Sequence, residues 1–134
     1  LHTFLYAGHN TISSTLRYCY FLLSSNPAAL SKVREEHKKI SGIRCSPHNT
    51  KAVISSDLTL LNQIPFTTAV IKEVLRMFPP AGSSCNGSSN LVLTDERRQR
   101  YPTNGCRIWI LSLAIYGSPG VFECPDEFIP DRWL

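Results

Sequence analysis

Apolar residues recur at helical spacing from the start of the chain. Leu5, Ile12, Leu16, Cys19 and Leu23 follow one another at three-, four- and seven-residue steps, which predicts one long helix over residues 3–25. The polar insert Gly8-His9-Asn10-Thr11 breaks that apolar face. Asn26-Pro27 ends the helix and opens a second, with Asn26 as cap and Pro27 at the first helical position. The second helix runs to about Ser41. Leu30, Val33, His37 and Ile40 form its inner stripe, and Gly42 suits its stop. Lys32, Arg34, Glu35, Glu36, Lys38 and Lys39 read mostly as its solvated face.

Residues 43–56 read as a polar loop, after which Asp57 caps a short turn from Leu58 to Asn62. Pro65 opens a third helix ending near Phe78, with Phe66, Val70, Val74 and Leu75 inward and Pro79-Pro80 as the stop. Ser, Asn, Gly and Arg then dominate residues 81–105, where Leu91–Leu93 reads as a short strand and Pro102 to Gly105 as a turn. Cys106 to Leu111 is rich in β-formers and reads as another strand. A helical turn follows, and Pro119, Gly120, Pro125 and Pro130 keep the remainder irregular. The expected fold class is mainly α with a small β-sheet, helices first, without repeat or linker.

Composition narrows this picture. At 134 residues the chain is one domain's worth, and 43% hydrophobic residues argue against wholesale disorder. A net charge of +4 is too small to point to nucleic acid. The longest apolar run, Tyr18 to Leu23, is far short of the roughly 20 residues of a membrane span. Five scattered cysteines suggest reduced thiols. The chain opens at Leu1 within a helical pattern and closes at Asp131-Arg132-Trp133-Leu134 without a polar tail. Both ends read as cut, so the expectation is a fragment.

Several motifs are absent or weak. Gly82 to Gly87 has the glycine spacing of a phosphate loop but no lysine, and no G-x-S-x-G elbow occurs. Cys45-x-x-His48 is half a zinc site without a second half, and reads as plain loop. Arg97-Arg98-Gln99-Arg100 reads as an exposed hairpin turn, and Asn86-Gly87-Ser88 as a chance glycosylation sequon.

Two constellations carry chemistry. Ala7-Gly8-His9-Asn10-Thr11 sets a small pair and three polar residues into an apolar helix. The small pair admits something flat and bulky, and Thr11 can turn its hydroxyl onto a carbonyl one turn back or toward a ligand. A solvent-facing stripe with a helix contact at Gly8 is the competing reading. Glu73 and Arg76 share a helix face at i,i+3 among apolar neighbours. A buried pair needs further hydrogen bonds, preferably a second guanidinium, for which Arg132 is a candidate.

The order of these motifs resembles the C-terminal half of a cytochrome P-450, a haem-thiolate monooxygenase. Ala7-Gly8-His9-Asn10-Thr11 is similar to the oxygen-activation motif of that family's central helix. Glu73-x-x-Arg76 followed by Phe78-Pro79-Pro80 resembles its ExxR helix, and Pro125-Asp126-Glu127-Phe128-x-Pro130-Asp131-Arg132-Trp133-Leu134 its P-x-x-F-x-P-E-R-W/F segment. Leu61 to Thr67 and Tyr101-Pro102-Thr103 resemble the fungal microsomal type.

The resemblance implies a partial fold of central helix, ExxR helix and meander, truncated at both ends, as a single partial domain over residues 1–134. It implies that Thr11 donates a hydrogen bond to iron-bound oxygen, with Asn10 beside it, and that Ala7 and Gly8 let oxygen and porphyrin approach. Glu73, Arg76 and Arg132 would form a buried structural triad. Residues 79–85, including Pro80, Ala81, Gly82, Ser83, Ser84 and Cys85, would line substrate and haem. The implied cofactor is haem and the implied partners are an NADPH-dependent reductase and a small apolar substrate. The implied location is the cytosolic face of the endoplasmic reticulum, through an anchor outside these residues.

Departures qualify that implication. The F-x-x-G-x-R-x-C-x-G loop that carries the iron ligand is absent, and would be expected after Leu134. Cys19, Cys45, Cys85, Cys106 and Cys124 all lack its setting. Asn10 stands where an acid is usual, Cys85 where an arginine for a haem propionate is usual, and Tyr116-Gly117 where His-Arg is usual. A chain without the cysteine loop would not make the catalytic centre alone. The alternative is a non-catalytic, truncated or pseudogene-derived helical fragment acting, if at all, as an interaction module. A reading frame past Leu134 that supplies the loop separates the two.

Overall fold

The computed structural model describes residues 2–42 and 46–134. Four helices lead: α1 (His2–Ser25), α2 (Pro27–Ser41), α3 (Pro47–Ser56) and α4 (Pro65–Met77). Four short strands follow: β1 (Ser83–Asn86), β2 (Val92–Thr94), β3 (Arg100–Pro102) and β4 (Arg107–Ile110). The chain then forms α5 (Ser112–Tyr116) and ends in a tight turn at Pro130–Trp133. Helices first and strands later is the expected class, but the strands form two antiparallel pairs, β1 with β4 and β2 with β3, instead of one sheet.

The core lies between α1 and α4. Cys19, Leu22 and Val74 are buried there, with Met77, Phe78 and Phe128 packed against them. Tyr18 stacks on Phe78 with ring centroids 4.0 Å apart. The expected stripe of α1 is therefore rotated toward Leu22, while Ile12 and Leu16 stay 63% and 51% exposed. Leu5 lies outside the described side chains. On α4, Phe66, Ala69, Val70, Glu73, Val74 and Arg76 are buried. Leu75, expected inward, is 36% exposed, because the 3.6-residue period turns it away from that face and onto the groove beside α1.

Other expectations need correction. Residues 47–56 are helical: the Ser46 side chain accepts the Asn49 N–H and Pro47 occupies the first turn. This is the same cap-and-proline logic that opens α2. Asn26 does not cap α2 with its side chain; its amide donates to the Leu22 carbonyl at 2.8 Å and closes α1 instead. Asp57 does cap the Leu58–Gln63 turn, accepting the Thr59 N–H at 2.9 Å and its hydroxyl at 2.6 Å. These bonds hold its carboxyl below the usual value.

The arginine cluster falls at the β2–β3 turn. Arg98 takes the left-handed conformation there, and Asp95 receives the Gln99 N–H and the Tyr101 hydroxyl. Buried Thr103 joins the two strand pairs. Its hydroxyl accepts the Ser88 N–H at 3.2 Å and lies 2.8 Å from the Leu91 carbonyl, to which it donates. No described helix is long and apolar enough to cross a membrane.

Candidate functional site

The most ordered polar cluster centres on Glu73, which is fully buried on α4. Its Oε1 accepts Arg76 Nη2 at 2.9 Å, the Ile129 N–H at 3.1 Å and Arg132 Nε at 3.2 Å. Its Oε2 accepts Arg76 Nε at 3.0 Å and Trp133 Nε1 at 2.8 Å. Five donors saturate the roughly four lone-pair sites of a carboxylate, so none remains for a substrate or water. Desolvation pushes the Glu73 carboxyl up. The hydrogen bonds from Arg76, Ile129 and Trp133, with the Arg76 charge, outweigh it and hold the group below the ordinary value.

The two guanidiniums spend their other donors on backbone carbonyls. Arg76 donates to Tyr116 O at 2.9 Å and Glu127 O at 3.2 Å. Arg132 donates to Glu123 O at 2.8 Å and Cys124 O at 3.3 Å. Phe122 lies beneath both, 5.2 Å from the Arg76 guanidinium and 5.8 Å from that of Arg132. One buried node thus fastens residues 116–133, which have little regular hydrogen bonding of their own, onto α4. The Tyr116 contact uses a carbonyl, so the change from the usual His leaves it intact. Trp133 and the Ile129 N–H were not among the sequence candidates. An indole reads as packing, and a backbone N–H has no residue-type signature.

The second cluster lies along α1. The Thr11 hydroxyl donates to the Ala7 carbonyl at 2.8 Å, with the Gly8 carbonyl at 3.3 Å. Ala7 and Asn10 are exposed and Gly8 is half-buried. A Cβ on Gly8 would meet none of the described atoms within 4 Å, so the helix contact considered for it is not formed by these residues. Thr11, Ile12, Thr15, Leu16 and Cys19 line an open groove of about 300 Å³, closed on its other side by Ile71, Leu75 and Pro80 of α4 and its exit. The structure therefore brings Thr11 and Pro80 to one groove. Ala81 and Gly82 line a neighbouring cavity of about 410 Å³ with Trp109 and Leu111. Ser83, Ser84 and Cys85 are exposed on β1, paired with β4.

A haem needs a flat apolar face and an iron donor. The surface at Gly8, where an added Cβ would meet none of the described atoms, fits the first requirement together with exposed Ile12 and Leu16. For the second, Cys19 is the one cysteine lining the groove, and burial pushes its thiol up, against thiolate formation. Cys85, Cys106 and Cys124 are free and exposed elsewhere. Cys45 lies outside the described residues, and no group of three or more metal-ligating side chains occurs among those described.

Known proteins are similar to this chain in sequence. The chain is 36% identical to the cytochrome P-450 monooxygenase acrF of Aspergillus aculeatus, over all of this chain and 27% of that protein. It is 33% identical to the cytochrome P-450 monooxygenase polC of Polytolypa hystricis, over 98% of this chain and 23% of that protein. Taurochenodeoxycholic 6 alpha-hydroxylase of Sus scrofa is 35% identical over 98% of this chain and 24% of its own length. The chain thus spans about a quarter of the length of these curated relatives. The profile of the cytochrome P-450 family matches residues 1–134, and the chain belongs to that family.

Proposed function

We propose that residues 1–134 are a single partial domain of a haem-dependent monooxygenase, contributing the oxygen-side helix, the ExxR helix and the meander. The whole protein inserts one oxygen atom into a small apolar molecule. It draws electrons from an NADPH-dependent reductase at the cytosolic face of the endoplasmic reticulum, held there by an anchor outside these residues. The observation that carries this reading is the Glu73 node, which ties the 116–133 segment to the same helix that faces Thr11 across the groove.

Haem, when bound, supplies the redox chemistry that protein side chains lack. Gly8 on α1 and the apolar side chains of Ile12, Leu16, Ile71, Leu75 and Pro80 along the groove would hold its flat face. Thr11 Oγ1 holds one proton, now given to the Ala7 carbonyl; rotation of the hydroxyl turns it toward the groove. Asn10, next to it, can hydrogen-bond but has no titratable proton to pass on. Proton delivery through α1 therefore falls to Thr11 and water. Glu73, Arg76 and Arg132 have a supporting role and take no part in proton transfer.

The test uses the full-length protein with its reductase and NADPH, following NADPH oxidation and hydrogen peroxide together. General acid–base help is typically worth about 10²–10⁴ in rate. Asn10→Asp restores part of it and lowers peroxide formed per NADPH; Thr11→Ala raises it. Unchanged peroxide yield in both variants removes the role given to α1. Absence of NADPH oxidation removes the monooxygenase reading.

A further inference from the structure

We propose that Trp133 is a positioning residue for Glu73, acting through its indole N–H as a neutral hydrogen-bond donor that an aromatic hydrocarbon side chain cannot replace. A phenyl ring at this place could fill the same space against Phe122 but would offer no N–H. This chain's Trp133 does more: Nε1 sits 2.8 Å from Glu73 Oε2, the shortest of the five bonds to that carboxylate.

The two carboxylate oxygens are not served equally. Oε1 has three donors, from Arg76, Ile129 and Arg132. Oε2 has only Arg76 Nε and the indole. Loss of the indole N–H leaves a fully buried anionic oxygen with one partner, Arg76 Nε. Charge explains why a neutral donor suits the site. One carboxylate already faces two guanidiniums, so the node carries a formal excess of one positive charge. A third cation would add repulsion between buried like charges. The indole adds a strong bond and no charge.

The ring is held for this purpose. Its centroid lies 6.0 Å from that of Phe122, and Lys72 Nζ stands 5.9 Å over its face. Lys72 precedes Glu73 on α4, so the helix supplies both the acceptor for the N–H and a cation over the ring. Arg132, the adjacent residue in the last turn, fixes the backbone through Glu123 and Cys124. The charged groups around Glu73 are thus Arg76 and Lys72 on α4 and Arg132 on the last turn. This inference concerns the node itself and does not depend on the reaction.

The test is a nitrogen-15 and carbon-13 NMR titration of the 134-residue chain, with Trp109, 62% exposed, as internal reference. The Trp133 indole proton should resonate downfield of that of Trp109, exchange more slowly, and move upfield as Glu73 protonates. Trp133→Phe should raise the Glu73 titration midpoint toward the ordinary carboxylate range. Phe78→Leu, a core change away from the node, should leave it in place. Two indole signals alike at the solvent position overturn the proposal. So does a Trp133→Phe variant whose Glu73 titrates as before.

Discussion

The Glu36 carboxylate on α2 closes the first turn of α4, accepting the backbone N–H of Phe66 at 2.8 Å. It also accepts the Thr67 N–H at 2.8 Å and the Thr67 hydroxyl at 2.7 Å. His37 Nε2, the next residue on α2, lies 3.1 Å from the same hydroxyl. α4 has no cap of its own, because Ile64 stands at the capping position. The helix that holds Glu73 is therefore started by a residue from another helix.

Glu36→Ala should then destabilise the chain by about 2 kcal/mol, the upper range for loss of a helix cap. Glu35→Ala, one residue earlier and exposed, should stay within about 0.5 kcal/mol. Urea unfolding of both variants measures the difference. Equal effects would mean that Glu36 does not cap α4.

Glu73 predicts the acid limb of stability. Its folded carboxyl titrates below the ordinary value, near ~4.3 in an unfolded chain. Its contribution is full above that ordinary value and is lost as pH falls through the folded one. Thermal midpoints should be flat from neutrality down to about pH 5 and fall below it. Glu73→Gln should flatten that fall. It should also cost about 3–5 kcal/mol at neutral pH, since two guanidiniums lose their counter-charge. In a marginally stable chain this reads as loss of cooperative unfolding.

The i,i+3 pair of Glu73 and Arg76 was legible because charged residues among apolar ones demand a partner, and Arg132 was the available second guanidinium. Glu36 reads as solvated in the sequence but is half-buried against α4. It sits within a charged run, and its acceptors' partners lie 30 and 31 residues away, where periodicity has no reach. β1 was missed because Ser83-Ser84-Cys85-Asn86 has no β-former run; pairing with Arg107–Ile110 makes it a strand. β3 was missed because Pro102 reads as a turn, yet it pairs with Val92 on a two-stranded ribbon that needs no donor on its outer side. The outward turn of Ile12 and Leu16 was hidden because spacing predicts a shared face without saying what covers it.

Gly87 joins the two strand pairs at a close approach. A Cβ there would lie 1.8 Å from the Thr103 carbonyl oxygen and 2.6 Å from its carbonyl carbon, and backbone cannot swing aside as a side chain can. Gly87→Ala should cost about 1–3 kcal/mol or more. Loss of hydrogen-exchange protection should be confined to residues 83–110 at first. Unaltered protection at Ser88 and Thr103 would contradict the packing described.

The most direct measurement is the reduced, carbon-monoxide-treated absorption spectrum, taken on two samples with added haemin. The full-length protein should show the Soret band of thiolate-ligated haem. The 134-residue chain should not, because metal sites need a supporting shell as well as a donor atom, and no group of three or more metal-ligating side chains occurs among the described residues. A full-length protein without that band would contradict the haem-monooxygenase reading. The same band in the short chain would mean that one of its own cysteines binds iron, against the account given for the groove beside Thr11.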